Sequence, residues 1–199
     1  MRSTEIIFQS KRFKKTADKL LSDFKLLKIL SRFGQVSLHG AYALDLMLSG
    51  DIDIYMVGKS FTKKDVTKIL TTIIKLTALN IYCLADYKIF THKKGTFPNA
   101  YYIGLQNRIK GEKWKINIWF LTPVELKRVS QNVVDTKNIT NQQRLTILRF
   151  KDWRNKHNPK ISGYYVYQAV LEDNIKTIAD FKKFIKNEYP KIWQKELGR

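Results

Sequence analysis

Asp51 and Asp53 stand two residues apart in an otherwise apolar run, GDIDIYMV, from Gly50 to Val57. Side chains alternate across a strand, so the two carboxylates share one face about 7 Å apart while Ile52 and Ile54 turn to the other. Like charges held that close repel each other. A divalent cation that prefers hard oxygen ligands, Mg²⁺ or Mn²⁺, relieves the repulsion. An isolated Asp-x-Asp is most often an exposed strand end. Here, eleven residues before Asp51, Gly40 marks a turn that leads through a short helical stretch, Ala41–Leu48, into the strand. A later strand, Lys113–Leu121, alternates Trp114, Ile116, Ile118 and Phe120 with Lys115, Asn117 and Trp119, which puts the Asn117 amide on its more polar face.

Gly40-Ala41, the short helix and Asp51-Ile52-Asp53 together resemble the signature of the DNA polymerase β-like nucleotidyltransferase superfamily, in its small, minimal form. The resemblance spans roughly Gln35 to Pro123 and extends only loosely into the C-terminal third. It implies an α+β fold: a nucleotidyltransferase-type mixed β-sheet core with helices, followed by a C-terminal helical region. It implies that backbone N–H groups of Gly40 and Ala41 approach the phosphates of a nucleoside triphosphate. It further implies that Asp51 and Asp53 ligate Mg²⁺ or Mn²⁺, and that Asn117 occupies the place of a third acid. The reaction so implied is attack of an acceptor hydroxyl on the α-phosphate with loss of pyrophosphate.

Two departures from that pattern matter. Ala41 lacks the hydroxyl of the Ser common at its position. Asn117 can offer a carbonyl oxygen to a metal but carries no charge and takes no proton. Three accounts stay open: two carboxylates suffice, catalysis has been lost, or the amide replaces an acid in the natural chain.

The 37 Lys and Arg against 17 Asp and Glu give a net charge of +20 over 199 residues. Such a field attracts polyanions and repels cationic substrates such as aminoglycosides. The expected partners are therefore a nucleic acid, RNA before others, and a nucleoside triphosphate. Residues 1–10 carry no secretion pattern, no apolar run is long enough to span a bilayer, and the single Cys83 reads as a small buried hydrophobe in a strand. A cytoplasmic, reducing location is expected, with no membrane partner.

The elements that must position these residues follow from periodicity. Lys11–Arg32 reads as a basic amphipathic helix ended at Gly34, Gln35–His39 as a strand, and Thr62–Thr77 as a second helix. Asn80–Ala85, Tyr87–His92 and Ala100–Gln106 read as strands, with Lys93–Asn99 as a turn between the last two. Thr122-Pro123-Val124-Glu125 is a helix start, and Arg144–Asn155, Tyr164–Leu171 and Ile178–Tyr189 are helical. The pattern divides the chain into 1–135, the core with its N-terminal helix, and 136–199, the helical region. Lys59 and Lys127 are candidate triphosphate contacts, though surface solvation is the ordinary role of a Lys in so basic a chain. Tyr42 beside the Gly turn is a candidate base-stacking group and His39 a candidate catalytic group, and Tyr164, Tyr165, Tyr167 and Trp153 among basic residues are candidate single-strand contacts; helix and core packing also claim them.

The functional expectation is a metal-dependent nucleotidyltransferase acting on an RNA hydroxyl, with a transfer RNA end as one acceptor. Transfer to a small molecule or protein, and nucleic-acid binding without catalysis on the same fold, are the alternatives.

Overall fold

The computed structural model describes residues 2–76, 79–89, 97–109, 111–131 and 134–196, with side chains to 188. The chain divides into two compact units, Arg12–Gln131 and a helical unit of Met1–Lys11 with Asn132–Arg199.

The larger unit is α+β. Its strands are β1 (Gln35–His39), β2 (Gly50–Val57), β3 (Ile81–Asp86), β4 (Tyr101–Ile109) and β5 (Glu112–Leu121), in the sheet order β1-β2-β5-β4-β3. The sheet is mixed: β2 and β5 are parallel, and the remaining pairs are antiparallel. Alternation decides which face is buried. Ile52, Ile54 and Met56 of β2, Ile116, Ile118 and Phe120 of β5, and Ile103 and Leu105 of β4 enter the core. There they meet Phe13, Ala17, Leu20 and Leu21 of α1 (Ser3–Asp23), Leu26, Ile29 and Leu30 of α2 (Leu26–Leu30), and Val66, Ile69 and Ile73 of α4 (Lys63–Leu76). Burying each such aliphatic side chain contributes roughly 1.5–3 kcal/mol. The opposite face of the same strands carries Asp51, Asp53, Lys115 and Asn117.

Several boundaries differ from the periodicity reading. The N-terminal helix begins at Ser3 and breaks after Asp23, where Lys25 takes a left-handed conformation (φ 49°) before α2 starts. The helix after Gly40 is a single turn, α3 (Gly40–Ala43), and does not run to Leu48. Tyr87–Ile89 form a turn instead of opening a strand, and residues 90–96, which hold the rest of that segment and most of the expected Lys93–Asn99 turn, lie outside the described residues. Cys83 is exposed: Tyr82 and Leu84 pack against the core, so alternation turns Cys83 to the opposite face of the outermost strand β3. Thr122 accepts a hydrogen bond from the Glu125 backbone N–H (3.2 Å) at the start of α5 (Pro123–Gln131), as its sequence signature anticipates.

In the helical unit, α6 (Asn141–His157) opens on a reciprocal capping box between Thr140 and Gln143. Ser162 caps α7 (Gly163–Leu171), and α8 spans Ile178–Glu196. Phe150 and Phe181 stack at 4.3 Å between ring centroids, and Ile147 of α6 with Val166, Ala169 and Val170 of α7 are also buried. Lys151, 5 % exposed, donates to the Tyr167 hydroxyl at 2.7 Å. Among the described residues no helix is long and apolar enough to cross a membrane.

Candidate active site

Strand register builds the site. In the parallel pairing Asp51 lies opposite Lys115 and Asp53 opposite Asn117; in the antiparallel ones Asn117 faces Gly104, and His39 faces Asp53. The polar face therefore holds a row running His39, Asp53, Asn117, Gly104 across four strands. The next row runs Ser37, Tyr55, Trp119, Tyr102.

Asn117 is the centre of this arrangement. It is 6 % exposed, and its Nδ2 donates to Asp51 Oδ1 at 2.7 Å and to Asp53 Oδ1 at 2.9 Å. Its Oδ1 accepts from the Tyr102 hydroxyl at 2.8 Å. The amide thus spans both carboxylates with its donors and is anchored from behind by a phenol. Alternation put Asp51 and Asp53 on one face and the family resemblance set Asn117 beside them; in the structure hydrogen bonds join the three.

Gly40 closes the site from the other side. Its φ is +63°, a left-handed conformation that L side chains rarely adopt, and a Cβ there would run into the Asp53 carboxylate. The turn can approach Asp53 only because no side chain intervenes. Ala41, half-buried, follows in the single turn of α3.

Tyr102 and Gly104 escaped the sequence reading. A Cβ on Gly104 would sit 2.7 Å from the Tyr102 hydroxyl, so the glycine leaves the path along which that ring reaches Asn117. The signal was present as Tyr-x-Gly in a strand, where an interior Gly often marks close approach of another group. Burial, with further contributions from Cys83, Tyr87, Asp51 and Asp53, pushes the Tyr102 phenol up to about 12, so it stays a proton donor at neutral pH. Trp119 lies beside it, with ring centroids 4.8 Å apart, and Tyr87 is 5.1 Å from Trp119.

His39, Tyr42, Tyr167 and Trp153 fall into packing roles, while Tyr164, Lys59 and Lys127 are exposed. His39 stacks on Tyr55 (3.9 Å, 22°), and its Nε2 lies 2.8 Å from Ser37 Oγ. Burial lowers its pKa, which favours the neutral imidazole. Tyr42 is 9 % exposed and donates to Asp18 at 2.6 Å. Tyr167 is held by Lys151, Tyr164 is 39 % exposed, and Trp153 packs edge-on to Phe181.

The donor chemistry suits a divalent ion in part. Asp51 and Asp53 offer hard oxygens whose joint charge matches one Mg²⁺ or Mn²⁺. Asn117 turns its N–H groups, not its carbonyl, toward them and so adds neither a donor oxygen nor a third charge. Among the described residues no group of three or more His, Cys, Asp or Glu is placed to hold a metal ion. The residues present fit one ion held by two aspartates.

The class defined here is an α+β protein whose mixed sheet presents a paired-carboxylate and amide site next to a glycine turn. No protein-family model and no curated protein matches the chain. Among solved structures, it is similar to a GLD-2–GLD-3 poly(A) polymerase complex at 10 % identity and a TM-score of 0.47, over 83 % of this chain and 57 % of that one. It is also similar to a GLD-2/RNP-8 complex at 9 % identity and a TM-score of 0.49, over 85 % of this chain and 64 % of that one. The chain thus spans about three fifths of the length of either.

Proposed function

We propose that the Asp51–Asp53–Asn117 cluster is a nucleotidyl-transfer site that takes a nucleoside triphosphate and an RNA hydroxyl, a transfer RNA end among the acceptors. The observation that carries this reading is the convergence on Asp53: Asn117 donates to it and to Asp51 from β5, and Gly40 approaches it from the turn. Asp51 and Asp53 would hold a divalent ion, which when bound neutralises triphosphate charge and lowers the pKa of the attacking hydroxyl. The Gly40–Ala41 turn gives the phosphates room beside the carboxylates. In the transfer the acceptor oxygen bonds the α-phosphorus, the bond to the β-phosphate oxygen breaks, and pyrophosphate leaves. The hydroxyl proton goes to an aspartate or to water, since the Asn117 amide accepts none. The net charge of +20 suits a polyanionic acceptor and argues against a cationic small molecule.

The orientation of Asn117 favours a second reading, in which the site binds nucleotide or RNA without transfer. Incorporation of labelled nucleotide into pooled RNA with Mg²⁺ or Mn²⁺ decides between them. Incorporation abolished by Asp51→Ala supports transfer. Calorimetric nucleotide binding without incorporation, across all four nucleotides, leaves the second reading.

A further inference from the structure

On the face of the larger unit opposite Asp51 and Asp53, α2 packs against α4. A groove of about 430 Å³ lies there, with Phe24, Ile29 and Leu76 forming its apolar lining and Lys25, Lys28 and Arg32 its basic rim. The acid in this groove, Asp23, is already paired with Lys19 at 2.9 Å. From Leu76 the surface continues along α4 as a polar stripe of Lys75, Thr71, Lys68, Thr67 and Lys64. Lys64 and Lys75 are eleven residue steps apart along the helix, about 17 Å.

These cations differ from those of α1. Lys14 and Lys19 each pair with an aspartate four residues on, at 2.8 and 2.9 Å. Among the described residues no ion pair engages Lys25, Lys28, Arg32, Lys64, Lys68 or Lys75. Asp65 offsets part of the charge of Lys64 and Lys68; the remaining like charge on this surface is repulsive, which a polyanion would relieve.

We propose that this α2–α4 surface is a binding track for single-stranded nucleic acid, separate from the Asp51–Asp53 site and independent of whether that site transfers nucleotides. The basic rim and stripe neutralise phosphates. The apolar floor takes the flat face of a base, a feature that a duplex with its bases stacked inside cannot use. Cations outnumber apolar side chains along the surface, seven to three, and the apolar ones sit together in the groove, which favours a phosphodiester backbone over a lipid headgroup layer.

The test uses the full chain and a fluorescent oligouridylate, with an RNA duplex and phosphatidylserine-containing vesicles as comparison probes. Two variants are made, Lys28→Gln with Arg32→Gln for the groove, and Lys64→Gln with Lys68→Gln and Lys75→Gln for the stripe. All five positions are exposed, and circular dichroism verifies that the variants fold. Each lost phosphate contact lowers the slope of log affinity against log salt by about 0.7, so the stripe variant should lose about 2 in slope and bind about tenfold more weakly at low salt. The groove variant should weaken oligouridylate more than duplex. Unchanged affinity and slope in both variants would overturn the proposal. So would vesicle binding that exceeds RNA binding and is lost in the same variants, or duplex binding equal to single-strand binding in both proteins.

Discussion

Replacing Asn117 by Asp isolates what the amide does. The substitution keeps an oxygen for the Tyr102 hydroxyl but removes both donors, the bonds of 2.7 Å to Asp51 and 2.9 Å to Asp53. A hydrogen bond to a charged group contributes roughly 1.5–3 kcal/mol, and Asp51 and Asp53 are half-buried, so the low end applies to each. Two of them give about 3 kcal/mol lost without metal, with repulsion among three carboxylates acting in the same direction. For a unit of this size that is a fall in Tm of about 12 °C, at about 4 °C per kcal/mol. A divalent ion that binds only the folded state returns about 2.7 kcal/mol at one hundred times its Kd, or about 11 °C. In the parent the ion must displace the amide, and its gain should be several-fold smaller. Thermal scans of both proteins in EDTA and in excess Mn²⁺ give all four values. Equal Tm values in EDTA, or equal gains with Mn²⁺, would refute the idea that the amide is what neutralises the aspartates. If transfer is the function, Asn117→Asp should also raise incorporation about a hundredfold, since a positioned base is restored.

Gly40→Ala should destabilise the protein by about 2 kcal/mol in urea titrations, because Ala must hold a left-handed φ with its Cβ against Asp53, and nucleotide binding should fall with it. The Tyr102 phenol has a folded pKa raised to about 12, so the stability it gives is whole below pH 10 and lost as pH rises through about 12. The 295 nm titration of the parent minus that of Tyr102→Phe should accordingly show one phenol ionising near 12, and one ionising near 10 would contradict this. Gly104→Ala should push the Tyr102 hydroxyl off Asn117 and return its ionisation toward 10, with the fold retained by circular dichroism.

The parts of the site readable in sequence were those set by local periodicity. Alternation placed Asp51 with Asp53 and Asn117 among the polar positions of its strand, and the glycine before the strand gave the turn. Tyr102 was out of reach because its contact with Asn117 depends on the β4–β5 register, which pairs Gly104 with Asn117. Cys83 looked buried because strand propensity does not disclose which face of the strand meets the core; Tyr82 and Leu84 do, and Cys83 turns the other way. The helix break at Lys25 also escaped, since the apolar spacing from Leu20 to Leu30 continues across it. Its cause is long-range: Leu26, Ile29 and Leu30 turn into the core beside the sheet.

The edge position of Cys83 has a practical consequence. This is the chain's single cysteine, exposed, in register with Gly104, which is in turn in register with Asn117. Two strand spacings separate it from Asn117, roughly 10 Å. One maleimide dye therefore attaches at one defined place, close enough to register events at the carboxylates by a change in emission. The same thiol limits disulfide cross-linking of this chain: one bridge can join two copies, and no further copy can be added through it.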